Sequence, residues 1–486
     1  MAINLSTDVC VTDSADTTKP ATPAAKWALF ALALTMLLSS LGTSIANVGL
    51  PTLGQVFDAP FQKVQWVVIA YLLAITTLIV GVGCLGDVIG RRRLMLIGIA
   101  VFTAASVGCG LTSSLDLLIA ARALQGLGAA AMMALTLAFV AEAVPKERIG
   151  HAMGLLGMTS SIGTALGPTL GGLLIAVFDW RAIFLINVPL GVIAWVLAAG
   201  SLPRDRPSPT AARGRFDLVG MLVLALTLGA YALAMTLGRG SFGWLNAALL
   251  LAAGTGLGVF VWIESRVASP LVPLAMLENR SLSAAFLMNT LIMTVVMATL
   301  IVGPFYLSGG LGLDAAMVGL VMSAGPLAAV FAGMPAGRGV DRFGARQMTL
   351  AGLAGMAIGC LLLSLLPRQW GILGYLLPLM LITASYALFQ TANNTAVMSA
   401  ISADQRGVVS GLLNLSRNLG LITGAALMGA VYAYVSARVE TGPMQAAASG
   451  MRATFAVGTI IVIAALMLAF ASARGLPMTP AREPAS

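Results

Sequence analysis

Gly83-Cys84-Leu85-Gly86-Asp87-Val88-Ile89-Gly90-Arg91-Arg92-Arg93 lies between two long apolar runs, and a version of it returns at Gly337-Arg338-Gly339-Val340-Asp341-Arg342-Phe343-Gly344-Ala345-Arg346. The displacement is 254 residues, from Asp87 to Asp341. A looser pair, Arg148 to Gly154 against Gln405 to Gly411, is displaced by 257. A charged, glycine-rich turn repeated at one interval inside an apolar chain is the mark of a duplicated helical unit. The apolar runs then divide into a first six, a second six and an inserted pair entered through the Pro/Arg-rich linker 203–215.

The composition agrees with this reading. Of 486 residues, 59% are hydrophobic and 9% charged, and the mean hydropathy is +0.95, which excludes an ordinary water-soluble chain. Spanning a bilayer takes roughly 20 apolar residues per helix. Apolar runs fall at 27–49, 64–84, 94–112, 117–140, 152–177, 182–200, 217–237, 245–263, 281–307, 315–335, 348–366, 371–400, 408–436 and 452–473, which makes fourteen. Little chain is left for a soluble catalytic domain, and alternating strand patterns are nearly absent, so the spans are expected to be helices. The expected divisions are a disordered cytoplasmic tail 1–26, a first half 27–202, the linker and inserted helices 203–266, a second half 267–475 and a tail 476–486.

Loops rich in Lys and Arg stay in the cytoplasm. With the N-terminus placed inside, nineteen of the 27 basic residues fall on inner segments. Six fall on outer loops (Lys63, Arg181, Arg239, Arg368, Arg438 and Arg452), and Arg122 and Arg417 lie within spans. The net charge of +9 is therefore topological rather than a nucleic-acid patch. Both termini are expected to be cytoplasmic, with the chain multi-pass in the inner membrane. The four cysteines (Cys10, Cys84, Cys109 and Cys360) have no paired spacing, and the only histidine is His151. Neither a disulfide framework nor a metal site follows, and no cofactor motif is present.

Several spans carry unusual residues. In the fourth, Leu118-Ile-Ala-Ala-Arg122-Ala-Leu-Gln125-Gly126 buries a guanidinium in an apolar run, and such a residue faces the bundle interior or a wet cavity. A structural Arg bonded to carbonyls of a neighbouring helix carries the same signature. In the fifth, Gly163, Gly167 and Gly171 share one face and let another backbone approach, while Pro168 removes a helix hydrogen bond and permits a bend. In the first, Ser40, Ser44 and Asn47 fall on one face. The ninth has Asn289, Thr290 and Thr294, and the twelfth has Tyr386, Gln390, Asn393 and Asn394. Such stripes either bind a ligand or hydrogen-bond between helices.

Taken together, these motifs resemble the major facilitator superfamily, and within it the fourteen-span drug:proton antiporter branch, from about residue 27 to 475. The resemblance implies an all-α membrane protein with the major facilitator fold: fourteen transmembrane helices as two six-helix halves plus an inserted pair. It implies a non-enzymatic exporter of small amphiphilic compounds, coupled to protons and working by alternating access, functional as a monomer in the lipid bilayer. Asp87, Arg91 and Asp341 would form cytoplasmic latches. Gly163, Gly167 and Pro168 would act in gating between the halves, and Arg122 in coupling and substrate binding. Ser40, Ser44, Asn47, Asn289, Thr294, Tyr386, Gln390, Asn393 and Asn394 would line the substrate cavity. In the first span, Leu41-Gly42-Thr43-Ser44-Ile45-Ala46-Asn47-Val48-Gly49-Leu50-Pro51 follows the family motif except that Gly42 stands where the family has Asp. That acid would exchange a proton for a cationic drug. No Asp or Glu lies near the middle of any run, Glu142, Asp217 and Glu264 being near ends. Neutral or anionic compounds are the expected cargo, with a dedicated exporter of a metabolite such as a carboxylate siderophore, or a nutrient importer, as alternatives.

Overall fold

A computed structural model describes residues 23–79, 81–143, 149–205, 217–237, 243–267, 276, 278–365, 367–399, 401 and 406–474. The expected tails before residue 23 and after 474, and linker residues 206–216, lie outside the described residues. All regular structure among the described residues is helical. The principal helices are α1 Pro23–Val56, α2 Trp66–Ile79, α3 Arg91–Leu111, α4 Leu115–Ala143, α5 Ile149–Val177, α6 Asn187–Ser201, α7 Leu218–Thr236, α8 Trp244–Glu264, α9 Arg280–Phe305, α10 Ala315–Phe343, α11 Ala345–Leu365, α12 Gly371–Ser399, α13 Arg406–Thr423 and α14 Pro443–Arg474. Short helices Phe61–Val64, Val82–Ile89 and Ala182–Leu185 connect them, and α13 continues through a π turn, Gly424–Met428, into Gly429–Ser436.

Thirteen helices among the described residues are long and apolar enough to cross a membrane. The expected fifth span sits in α5, whose described apolar stretch Ile162–Val177 is shorter. Helix ends overrun the apolar runs, as where α14 begins at Pro443 and not at 452. Hydropathy marks the part of a helix that meets lipid, and the backbone ladder continues beyond it into polar sequence.

The duplication is visible in the packing. α1 lies on α5 and α6, α2 on α4, and α3 on α4 and α6; in the same way α9 lies on α13 and α14, α10 on α12, and α11 on α12 and α14. Small residues set these approaches, because lipid gives apolar helices no hydrophobic reason to associate and close van der Waals contact must do it. A Cβ added at Gly163 would lie 2.8 Å from the Leu37 carbonyl oxygen, and one at Gly171 3.0 Å from that of Ile45. Gly420 of α13 and Gly424, which opens the π turn after it, press in the same manner on the Thr290–Thr294 and Met293–Met297 stretch of α9. The repeated loop turns also match, since Gly90 and Gly344 both have left-handed φ, +100° and +82°, a conformation that disfavours any side chain.

The linker contributes to the first of these loops. Asp205 accepts the backbone N–H groups of Arg92 (2.8 Å) and Arg93 (3.1 Å), capping α3, while the Arg92 guanidinium donates to the Ala199 carbonyl of α6.

The inserted pair is asymmetric in its attachments. α8 packs on α7, bonded by Asn246 Nδ2 to the Ala234 and Leu237 carbonyls at 2.7 and 2.9 Å. α7 rests on α2 of the first half and on the π turn of the second. Trp66 Nε1 donates to Thr236 Oγ1 at 3.0 Å, and Tyr231 reaches Thr423 of α13. One inserted helix thus bridges the seam between the halves.

Candidate transport site

Arg122 is fully buried, at 0% exposure. Its Nε donates to the Val67 carbonyl of α2 at 2.9 Å, Nη2 to the Gly42 carbonyl of α1 at 3.1 Å, and Nη1 to Gln125 Oε1. Gln125 in turn donates to Ser106 of α3 at 2.7 Å. The guanidinium also stacks 4.1 Å from the centre of the Tyr71 ring. A buried cation is expensive, and here carbonyl dipoles and an aromatic face offset that cost. Position 42 faces this same interior, since a Cβ there would lie 3.1 Å from Tyr71 Oη and 3.3 Å from Phe102 Cζ. The arrangement ties α1, α2, α3 and α4 together within the first half.

The other expected site residues fall into separate groups. Ser40 hydrogen-bonds Ser160 of α5 at 2.6 Å, and Ser44 donates to the Gly163 carbonyl at 3.3 Å. Asn289 donates to the Leu413 carbonyl (3.1 Å) and Ser416 Oγ (2.8 Å) of α13, and Thr294 to the Gly420 carbonyl (3.2 Å). These four groups staple α1 to α5 and α9 to α13, so they face their own halves. Asn393 is buried and reaches the Ala285 carbonyl of α9 at 3.5 Å. Asn394 is exposed, while Tyr386 and Gln390 are half-buried on the same helix, with half-buried Arg417 within electrostatic reach of Tyr386. Asn47 is buried and donates from Nδ2 to the Thr43 carbonyl at 3.1 Å, while its Oδ1 has no protein partner. Asp341 is exposed at the end of α10, and the Asp87 side chain lies outside the described residues.

The glycine stripe of α5 divides by face. Gly163, Gly167 and Gly171 press on α1 inside the first half, whereas Pro168 and Gly172 meet α10 across the seam. A Cβ at Gly172 would lie 2.5 Å from the Ala315 carbonyl oxygen and 2.9 Å from Gly319 Cα. The halves therefore touch backbone to backbone where Pro168 and Gly172 meet Ala315 and Gly319. At the same end α1 and the start of α10 flank a cavity of about 300 Å³ lined by Val48, Thr52, Gln55, Ser308, Leu313 and Asp314 among others. Towards the other end, Gly333, Gly337 and Gly411 have open space beside them. The sequence reading missed Gly319 and Gly172 as a pair. The only signal was the doubled Gly171-Gly172, whose second glycine lies off the α1-facing stripe.

Two repeated six-helix units joined along α5–α10 and α1–α9, with an inserted pair of which α7 bridges the seam, and a seam drawn together at one end, define a polytopic membrane carrier. Residues 32–425 and 282–485 match the model described as Major Facilitator Superfamily, and the chain belongs to that family. It is 34% identical over 418 residues to multidrug resistance protein Stp of Mycobacterium tuberculosis, covering 85% of this chain and 77% of that one. It is 33% identical over 418 residues to drug efflux pump JefA of the same organism, covering 85% and 81%. Riboflavin transporter RibZ of Clostridioides difficile is 30% identical over 412 residues, covering 84% and 88%. Among solved structures, an inward-facing, unoccupied bacterial homologue of the human lysosomal transporter Spinster superposes with a TM-score of 0.67 at 15% identity, covering 93% of this chain and 98% of that one. The xylose transporter XylE of E. coli gives 0.63 at 14%, covering 93% and 98%. The chain is a multi-pass membrane transporter and not an enzyme.

Proposed function

We propose that this transporter exports small amphiphilic compounds across the inner membrane, coupled to protons, as a monomer with both termini cytoplasmic. The observation that carries export is the likeness to two proteins named for drug resistance and drug efflux, each matched over 85% of the chain. The seam supports alternating access: the halves meet along narrow, glycine-lined contacts, and rocking about these would transfer a crevice from one face to the other. Tyr386, Gln390, Asn394 and Arg417, the less buried polar groups of α12 and α13, are the preferred substrate contacts. With no acid midway along any span, a desolvated dication would find no compensating charge, so neutral and anionic compounds are the favoured cargo. Arg122 serves this cycle by holding the first half as one rigid body.

The riboflavin transporter relative favours a second reading, carriage of one polar planar compound. Inverted membrane vesicles with an imposed inside-acid gradient distinguish these. Export predicts gradient-dependent accumulation of several neutral or carboxylate-bearing compounds and accumulation of a dicationic dye at least tenfold weaker. Equal handling of the dication would overturn the charge argument, and accumulation of a single compound would favour the second reading.

A further inference from the structure

Where the seam is drawn together, aromatic rings from both halves interlock. Phe61, leading into α2, lies 4.6 Å from Phe305, the last residue of α9, and 5.1 Å from Tyr432, beyond the π turn of α13, centroid to centroid. Phe305 and Tyr432 are 6.3 Å apart. Beside this triad sits Gln65, at 0% exposure, with neither Oε1 nor Nε2 bonded to any protein group. It lies against Gly429 of the second half, where a Cβ would run into the Gln65 amide. Its neighbour Trp66 is held by Thr236 of α7.

A fully buried amide without partners is unusual, because each unsatisfied group loses its hydration with nothing in return. Leucine would fill nearly the same volume at no such cost. The penalty exists only while the seam is shut, since parting the halves at Phe61 and Gly429 exposes the amide to water. We propose that the Phe61–Phe305–Tyr432 triad is the gate at this end, and that Gln65 is the residue that keeps it from staying shut. The aromatic faces supply the closing force and the stranded amide opposes it, so the two positions of the gate are brought closer in free energy than apolar packing alone would leave them. This rests on the carrier reading proposed above.

The test uses the full chain in lipid nanodiscs, with Cys10, Cys84, Cys109 and Cys360 replaced by alanine and spin labels at Asp58→Cys and Glu440→Cys, two exposed positions at this end. Pulsed electron resonance then reports the distance between the halves. Gln65→Leu is expected to raise the ratio of short to long distances by about tenfold, having removed a polar penalty of ordinary size. Gln65→Glu, nearly identical in shape, places a charge where no partner waits and is expected to shift the ratio the other way. Two distance populations that neither variant moves, or a shift towards long distances in Gln65→Leu, would overturn the gate while leaving the carrier intact. One short distance, the same in all three chains, would overturn the carrier reading itself.

Discussion

Gly172→Leu is expected to lower efflux at least tenfold while leaving the protein folded in the membrane. At this position α5 and α10 approach so closely that a single added carbon would meet the Ala315 carbonyl and Gly319 Cα, at 2.5 and 2.9 Å. These are backbone atoms, which cannot swing aside as a side-chain tip can. A leucine has to part the two helices, and overpacking of this kind costs about 1–3 kcal/mol. Within either half little changes, because Gly172 looks across the seam while Gly163, Gly167 and Gly171 hold α1. The cost therefore falls on the shut state alone and becomes a shift of population by about one or two factors of ten. Under the proposed topology this end faces outward, so a cysteine at Thr52, in the cavity there, becomes more reactive to an impermeant maleimide. Undiminished efflux by this variant would remove the α5–α10 contact from the cycle.

Arg122→Ala is expected to abolish transport and also to lower the melting temperature of the purified protein by several degrees. Truncation leaves Gln125 Oε1 without its donor and takes the second donor from the Val67 and Gly42 carbonyls, which keep only their helical N–H partners. The stranded Gln125 oxygen costs about 1–3 kcal/mol, and the lost charge-assisted bonds to the two carbonyls and the lost stacking on Tyr71 add to it. Relief from desolvating the cation works in the opposite direction, so a net loss of about 2–4 kcal/mol is expected. Lysine restores the charge, but its three donors sit on one compact nitrogen and cannot reproduce the spread of a planar fork, so it should rescue little. A variant that melts normally yet does not transport would make Arg122 a participant in coupling rather than a brace, and normal transport would deny it both roles.

Arg122 illustrates how far the sequence could be read. A guanidinium in an apolar run announces a buried, satisfied group, but two of its three hydrogen-bond partners are backbone carbonyls, and these have no identity in sequence. The same holds for the polar stripes. Ser44 and Thr294 have the spacing of a cavity lining, yet both turn to glycine carbonyls on neighbouring helices. A stripe of small or polar residues states that another helix lies close without stating which one. By contrast, Gly90 and Gly344 were legible because a left-handed turn is a demand the backbone makes locally. The order of spans and the duplication were readable for a similar reason, since hydropathy and repeated turns are properties of a segment alone. Gln65 and Phe61 were invisible, being ordinary residues in a connection whose meaning appears only when the second half closes over them.

Rocking of the two halves is the claim on which the transport account stands. Thr52 of α1 and Leu313, just before α10, line the same cavity from opposite sides of the seam. With Thr52→Cys and Leu313→Cys joined by a short bifunctional maleimide carrying a cleavable spacer, efflux is predicted to stop, and to return when the spacer is cut. Efflux that continues at the uncrosslinked rate with the halves joined would contradict the account.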